Sequence, residues 1–313
     1  MGSAVRTVLV GCTGFVGSNL ADQYRFEGLY HSRNIAEAFG SRPDVCFYAG
    51  VPAQKFLANR APEEDKRTIL TAMENIRKIN PARLVLISTI DVFPDPVGVD
   101  ETAGIETAGL QPYGLHRYML EEWARENVRD CCIVRLPALF GRNLKKNFLF
   151  DLIHVIPTML TKEKYEALRA RDSFLEQHYH LADNGMYVCG ALSEEQRKAL
   201  RAYFERVGFS AAYFTDSRAR FPFYNLDCLR RHIDLALEEE IDLLHCAVEP
   251  IRADEIYRAV TGKDFVNEKD AAPPHYDFRT AYARRLGGRD GYLFDKERVL
   301  ADILAFVEAS KEK

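Results

Sequence analysis

Thr7-Val8-Leu9-Val10-Gly11-Cys12-Thr13-Gly14-Phe15-Val16-Gly17 passes from a strand-like apolar run into a glycine set spaced G-x-x-G-x-x-G, and a helical stretch, Ser18–Phe26, follows. A strand, a glycine-rich turn and a helix N-terminus in that order offer an anion free backbone N–H groups and the positive end of a helix dipole. Gly11 permits the tight turn, Gly14 lets the backbone approach a pyrophosphate, and Gly17 lets the helix pack closely on the strand. Gly11, Thr13, Gly14, Phe15, Val16 and Gly17 are therefore candidate contacts to a dinucleotide. The first gap is one residue longer than in the commoner fingerprint.

Outward from this loop, strand-like runs at Gly28–His31, Asp44–Ala49, Leu84–Ser88 and Cys131–Arg135 alternate with helical patterns at Glu63–Ile79 and Tyr113–Val128. That alternation predicts an α/β fold, a Rossmann-type doubly wound parallel sheet. Residues 1–150 form the expected dinucleotide-binding domain. It is rejoined by about 221–247, where Phe221–Leu226 is extended, Asp227–Leu237 helical and Leu243–Ala247 strand-like. Residues 151–220 and 248–313 are assigned to a smaller, mostly helical C-terminal substrate domain. Within it, Lys162–Val207 shows no strand alternation and reads as a helical insertion, with a capping box at Ser193–Gln196 and a closing Gly208.

The 313 residues are 47% hydrophobic and 28% charged, with formal net charge −4. No basic face or polybasic run invites nucleic acid or a membrane, and no apolar run reaches spanning length. Met1 to Arg6 lacks a signal-peptide pattern. The seven cysteines form no C-x-x-C pair and sit mostly in apolar runs, as reduced thiols of a cytoplasmic protein would. No metal is expected: His178-Tyr179-His180 is placed on a helix, where two-residue spacing turns the imidazoles to different faces.

Chemistry is concentrated in two segments. Thr89 lies just past the strand that ends at Ser88, at the carboxyl edge of the sheet where ligands of such folds bind. Tyr113 and Arg117 lie four apart on a helix and so share a face. A phenol beside a fixed cation is acidified, which suits it to pass a proton, and a neighbouring hydroxyl can hold a carbonyl. After the short second strand, Ser32 and Arg33 stand where an acid would accept ribose hydroxyls; their character favours the 2′-phosphate of NADP, with NAD as the alternative.

These segments together resemble an extended short-chain dehydrogenase/reductase of the NAD-dependent epimerase/dehydratase family. The glycine loop, Asp44–Gly50, Ser88–Phe93, Tyr113–Arg117 and Arg135–Gly141 (R-x-x-x-x-[YF]-G) follow that family's order. Phe221–Leu237 and Glu249–Ile256 resemble its later segments, so the match omits chiefly Lys162–Val207. The resemblance implies Thr89 as the family's Ser/Thr, Tyr113 as its catalytic tyrosine, and Arg117 in the place of its lysine. That lysine binds the nicotinamide ribose and acidifies the tyrosine; arginine keeps the charge but not the shape. It also implies cofactor contacts at Ala49, Gly50, Val51, Ser88 and Leu136.

Two departures bear on the substrate. Thr89-Ile90-Asp91 lacks the middle acid of the dehydratases' Thr-Asp-Glu, so dehydration is not expected. Ala138 stands where many nucleotide-sugar enzymes have asparagine. Ala58-Asn59 and Pro62, in the loop Val51–Asp65, faintly resemble the corresponding loop of the GDP-fucose synthase branch. Asp91, Ala138, Lys145 and Asn147 are the candidate substrate contacts. The implied function is an NAD(P)-dependent oxidoreductase or epimerase acting on a sugar-like substrate, free or nucleotide-linked. Tyr113–Val128, with Met119, Leu120 and Trp123, is the expected homodimer helix. A non-catalytic dinucleotide-binding regulatory or sensor protein is the alternative.

Overall fold

Strands that pack on both faces need near-continuous apolar sequence, and those around the glycine loop have it. The computed structural model describes residues 5–311 apart from 172 and 184; residues 1–4, where the expected first domain and the Met1–Arg6 reading begin, lie outside the described residues. In chain order the elements that build the site are β1 (Thr7–Val10), α1 (Phe15–Gln23), β2 (Gly28–Tyr30), β3 (Val45–Tyr48), α2 (Lys55–Arg60), α3 (Pro62–Ile79), β4 (Arg83–Thr89), α4 (Pro112–Asn127), β5 (Asp130–Leu136) and β6 (Ala138–Phe140). β1 to β5 and the strand Leu243–His245 form a six-stranded parallel sheet ordered 243–245, β5, β4, β3, β1, β2. The expected α/β, Rossmann-type doubly wound sheet is present.

Register fixes where the strands end: Val10 pairs with Tyr48 and Tyr30, and Thr89 pairs with Leu136. The order turns back at β1, and in open α/β sheets ligands bind at the carboxyl edge beside such a reversal. Val8, Val10, Cys46, Tyr48, Leu84, Leu86 and Ile133 point to one face. There they pack with Ile69, Met73 and Ile76 of α3 and Leu120 and Ala124 of α4. Leu9, Phe47 and Val85 alternate with them and are equally buried on the other face. Each such side chain contributes about 1.5–3 kcal/mol by leaving water.

α3 carries the sequence signals of its ends. Pro62 opens it, Glu63, Glu64 and Asp65 occupy its first turn, Arg77 and Lys78 its last, and Asn80 closes it with φ of +54°. Two boundaries differ from expectation. α1 starts at Phe15, three residues earlier than expected, because Gly14 itself is the N-cap. The loop after β3 holds an unforeseen short helix, α2, too brief to show a period.

The described residues form two compact units, one of 5–144, 219–252 and 273–306, the other of 145–218, 253–272 and 307–311. Residues 273–306 were expected in the substrate domain. They belong to the first unit because their backbone is bonded into it: Asp277 N–H to the Pro96 carbonyl (3.0 Å), Arg279 N–H to Val99 (2.8 Å) and Leu293 N–H to Ala247 (2.8 Å). The absence of strands expected for Lys162–Val207 is also corrected. Met159–Leu160, Tyr187–Cys189 and Tyr179–Leu181 form a small antiparallel sheet, each strand too short to show alternation. The capping box at Ser193 and Gln196 is present. His178-Tyr179-His180 enters a strand, not a helix, with His178 buried and His180 exposed. All seven cysteines are free thiols. Among the described residues no helix is long and apolar enough to cross a membrane, and none of their His, Cys, Asp and Glu side chains group as a metal would need.

Candidate active site

A Cβ on Gly17 would lie 2.0 Å from the Gly11 carbonyl oxygen, and one on Gly11, whose φ is +90°, 2.3 Å from the Ala49 carbonyl oxygen. Only glycine permits this contact between the ends of β1, β3 and α1. It brings Ala49 and Gly50, with Val51 beyond, beside the loop. No side chain caps α1 and no acid occupies its first turn. The N–H groups of Phe15, Val16 and Gly17 therefore lack both an intrahelical acceptor and a capping side chain. Thr13 and Gly14 are exposed at that entrance. A cradle of glycine backbone at the positive end of a helix, with no carboxylate to repel an anion, fits a dinucleotide pyrophosphate. Ser32 and Arg33 are exposed just past β2, whose Tyr30 carbonyl accepts from Gly11 N–H at 2.7 Å.

Thr89 is the last residue of β4. Its Oγ1 accepts from the Asp91 N–H at 3.2 Å and its hydroxyl also reaches the Tyr113 phenol. Gly114 explains how the helix comes so near: a Cβ there would sit 2.0 Å from the Asp91 carbonyl oxygen. Asn59 of α2 fixes the start of α4 by accepting the Tyr113 N–H at 2.9 Å. Tyr113 is 7% exposed. Burial pushes its phenol above the ordinary tyrosine value, while Arg117 pulls the other way. The expected shared face is present, since the Arg117 guanidinium lies over the Tyr113 ring, 4.0 Å from its centroid.

Arg117 is also held from behind. It is 5% exposed and donates to Asp65 Oδ2 at 2.6 Å, the Pro52 carbonyl at 2.7 Å and the Tyr113 carbonyl at 3.2 Å. His116 shares Asp65 Oδ2 at 2.8 Å, pointing away from the phenol as helical geometry requires. Asp91 meets Lys55 Nζ at 2.8 Å and the Tyr276 hydroxyl at 3.1 Å.

The neighbouring Ser88 donates its hydroxyl to Glu121 at 2.5 Å, so its side chain is committed to the interior. Fully buried Glu121 also takes a fork from Arg135, which touches His245 Nε2 at 3.1 Å. Arg135, the head of the R-x-x-x-x-[YF]-G element, thus knots β4, β5, α4 and the strand Leu243–His245. Leu136 is buried at the end of β5, and Ala138 begins β6, which pairs with Phe223–Asn225. Lys145 and Asn147 belong to the second unit, where Asn147 accepts from Phe150 N–H and caps the helix Phe148–His154.

No curated protein sequence matches this chain. Residues 28–167 match a family model described as the NAD dependent epimerase/dehydratase family. The solved structures this chain resembles agree in fold. A dTDP-4-dehydrorhamnose reductase from Yersinia enterocolitica superposes with TM-score 0.63 at 13% identity, covering 96% of this chain and 99% of that one. The enzyme of that name from Bacillus anthracis, in complex with NADP, gives 0.63 at 15% over 97% and 99%. A UDP-glucose 4-epimerase from Thermotoga maritima, with UDP-glucose, gives 0.61 at 13% over 98% and 99%.

The family match takes in Thr89, Tyr113, Arg117 and Arg135 but starts after the glycine loop. Lys55, Asp65, Glu121 and Tyr276 were not singled out in the sequence. Asp65 and Glu121 had a signal: each falls on the buried stripe of its helix, one turn before Ile69 and one turn after Arg117, where a carboxylate needs a cation. Lys55 and Tyr276 had none, since their meeting at Asp91 is made by the tertiary fold alone.

Proposed function

We propose that this chain is an NAD(P)(H)-dependent oxidoreductase or epimerase that acts on a carbonyl or hydroxyl of a sugar, free or nucleotide-linked. The observation that carries the proposal is the meeting of Thr89, Tyr113 and Arg117 at the carboxyl edge of a parallel sheet that also bears the glycine cradle. Gly11–Gly17, Ala49, Gly50 and Val51 would hold the dinucleotide, and Ser32 and Arg33 favour NADP over NAD. When bound, the nicotinamide supplies or accepts hydride. Thr89 holds the reacting oxygen by its hydroxyl, and Tyr113 gives that oxygen a proton during reduction or removes one during oxidation. Burial keeps the phenol protonated until it is needed, and the guanidinium over its ring stabilises the phenolate left behind. The planar guanidinium, bonded to Asp65 and Pro52, serves this electrostatic role in preference to a ribose contact.

The NADP held by one structural neighbour and the UDP-glucose held by another support the cofactor and substrate class. We also propose a homodimer through α4, although Met119 and Trp123 already pack in part against the protein's own core. One observation favours a non-catalytic dinucleotide sensor: the Arg117 guanidinium is engaged inward, by Asp65 and the Pro52 carbonyl. Nicotinamide absorbance and product epimers, followed across keto- and hydroxy-sugars, separate the two. Turnover establishes the enzyme, and tight dinucleotide binding with none across the panel establishes the sensor.

A further inference from the structure

Three side chains from distant parts of the chain close a triangle beside the Thr89–Tyr113 pair. Lys55 Nζ is 2.8 Å from Asp91 Oδ1 and 3.2 Å from the Tyr276 hydroxyl, which is itself 3.1 Å from the same Asp91 oxygen. The triangle is tied to the site from two directions. Lys55 and Asn59 are four apart on α2 and so share a face, and Asn59 holds the Tyr113 N–H. Asp91 bonds to Thr89 through its N–H and presses its carbonyl against Gly114. The ion pair stands at the surface, with Lys55 46% and Asp91 20% exposed at their side chains.

Its unused valences define what it can bind. An ammonium has three protons and a carboxylate two acceptor oxygens. Two protons of Lys55 and one oxygen of Asp91 are engaged within the triangle, so a donor and Asp91 Oδ2 remain side by side, with no further protein partner among the described residues. With the ammonium neutralised at 2.8 Å, the pair offers no net charge to an anion. Adjacent hydroxyls, each both donor and acceptor, are its complement.

We infer that Lys55 and Asp91, steadied by Tyr276, bind a vicinal diol of the ligand that reacts at Tyr113. This rests on the proposed dinucleotide-dependent activity. The diol belongs either to the nicotinamide ribose or to the sugar substrate. Burial opposes the charge of Lys55, but Asp91 and Tyr276 more than offset it and raise its pKa, so the donor stays protonated through the neutral range.

The test titrates NADPH by fluorescence, then UDP-glucose and dTDP-glucose by calorimetry in the presence of NADPH, and ADP as a control lacking the nicotinamide ribose. The parent is compared with Lys55→Met, Lys55→Arg and Tyr276→Phe. Lys55→Met should weaken one ligand about tenfold or more, the scale of a lost charge-assisted bond, with ADP affinity and the thermal midpoint unchanged. Lys55→Arg should recover part of the loss, and Tyr276→Phe should cost less than Lys55→Met. Loss confined to NADPH assigns the ribose, and loss confined to the sugar nucleotides assigns the substrate. Parent and Lys55→Met binding NADPH equally, with no sugar-nucleotide affinity lost, overturns the inference alone. A parent that binds neither NADPH nor NADH overturns the dinucleotide reading beneath it and this inference with it.

Discussion

Replacing Arg117 by methionine separates what the guanidinium does for the fold from what it does for a ligand. Its partner Asp65 has a side chain 8% exposed, and the two meet at 2.6 Å. Arg117→Met leaves that carboxylate with His116 alone and removes the donor to the Pro52 carbonyl. Breaking a buried pair from one side costs about 3–5 kcal/mol, because the abandoned charge stays out of water. Arg117→Lys keeps the charge but not the fork, so it loses one bond of the set, about 1–2 kcal/mol. In the double variant Arg117→Met/Asp65→Leu no charge is stranded, and most of the loss should return. Urea unfolding followed by fluorescence is well placed to read this, since the protein's single tryptophan, Trp123, lies on the same helix and packs against the core of the first unit. Because the guanidinium is engaged inward, Arg117→Lys should hold NADPH within about twofold of the parent, under 0.5 kcal/mol. The reasoning is refuted if Arg117→Met is as stable as the parent. It is equally refuted if Arg117→Lys loses NADPH tenfold with stability intact, for then Arg117 faces the ligand.

Gly17→Ala should abolish saturable NADPH binding, because its methyl would lie 2.0 Å from the Gly11 carbonyl oxygen; a parent-like titration curve contradicts this. If Arg33 holds a 2′-phosphate, the parent should bind NADPH about ten- to a hundredfold more tightly than NADH, and Arg33→Ala should erase most of the difference. Equal parent curves for the two cofactors count against it. Burial holds His245 down to about 3 and His232 down to about 4, so both stay neutral in the folded chain while the unfolded chain protonates them below about pH 6.5. The unfolded state then binds more protons, and stability falls with acid by about 4 kcal/mol between pH 7 and pH 5; urea midpoints that stay flat over that interval would contradict it.

The sheet was legible because its strands are apolar on both faces and its punctuation is chemical: glycines at 11, 14 and 17, Pro62 at a helix start, Asn80 at its end. That Thr89, Tyr113 and Arg117 meet was legible for the same local reason, a strand end and a helical i,i+4 pair. The sequence could not disclose where the Arg117 guanidinium goes, because Asp65 and Pro52 come from segments over fifty residues away. Residues 273–306 were assigned to the wrong body because backbone bonds to Pro96, Val99 and Ala247, not an apolar period, tie them in place. The small sheet of residues 159–189 was missed because strands of two or three residues carry no alternation to read. Ser88 shows a limit of motif transfer, since its position matches while its hydroxyl serves Glu121.

Tyr113→Phe removes one hydroxyl from a ring whose place is set by Asn59, Gly114 and Arg117, so fold and NADPH affinity should be unchanged. The measurement is turnover of parent and variant with NADPH or NADP and a panel of keto- and hydroxy-sugars, free and nucleotide-linked, read by nicotinamide absorbance and product epimers. The account predicts activity in the parent and a loss of about a hundred- to ten-thousandfold in Tyr113→Phe, the usual contribution of a positioned proton donor. Turnover that survives Tyr113→Phe unchanged would contradict it.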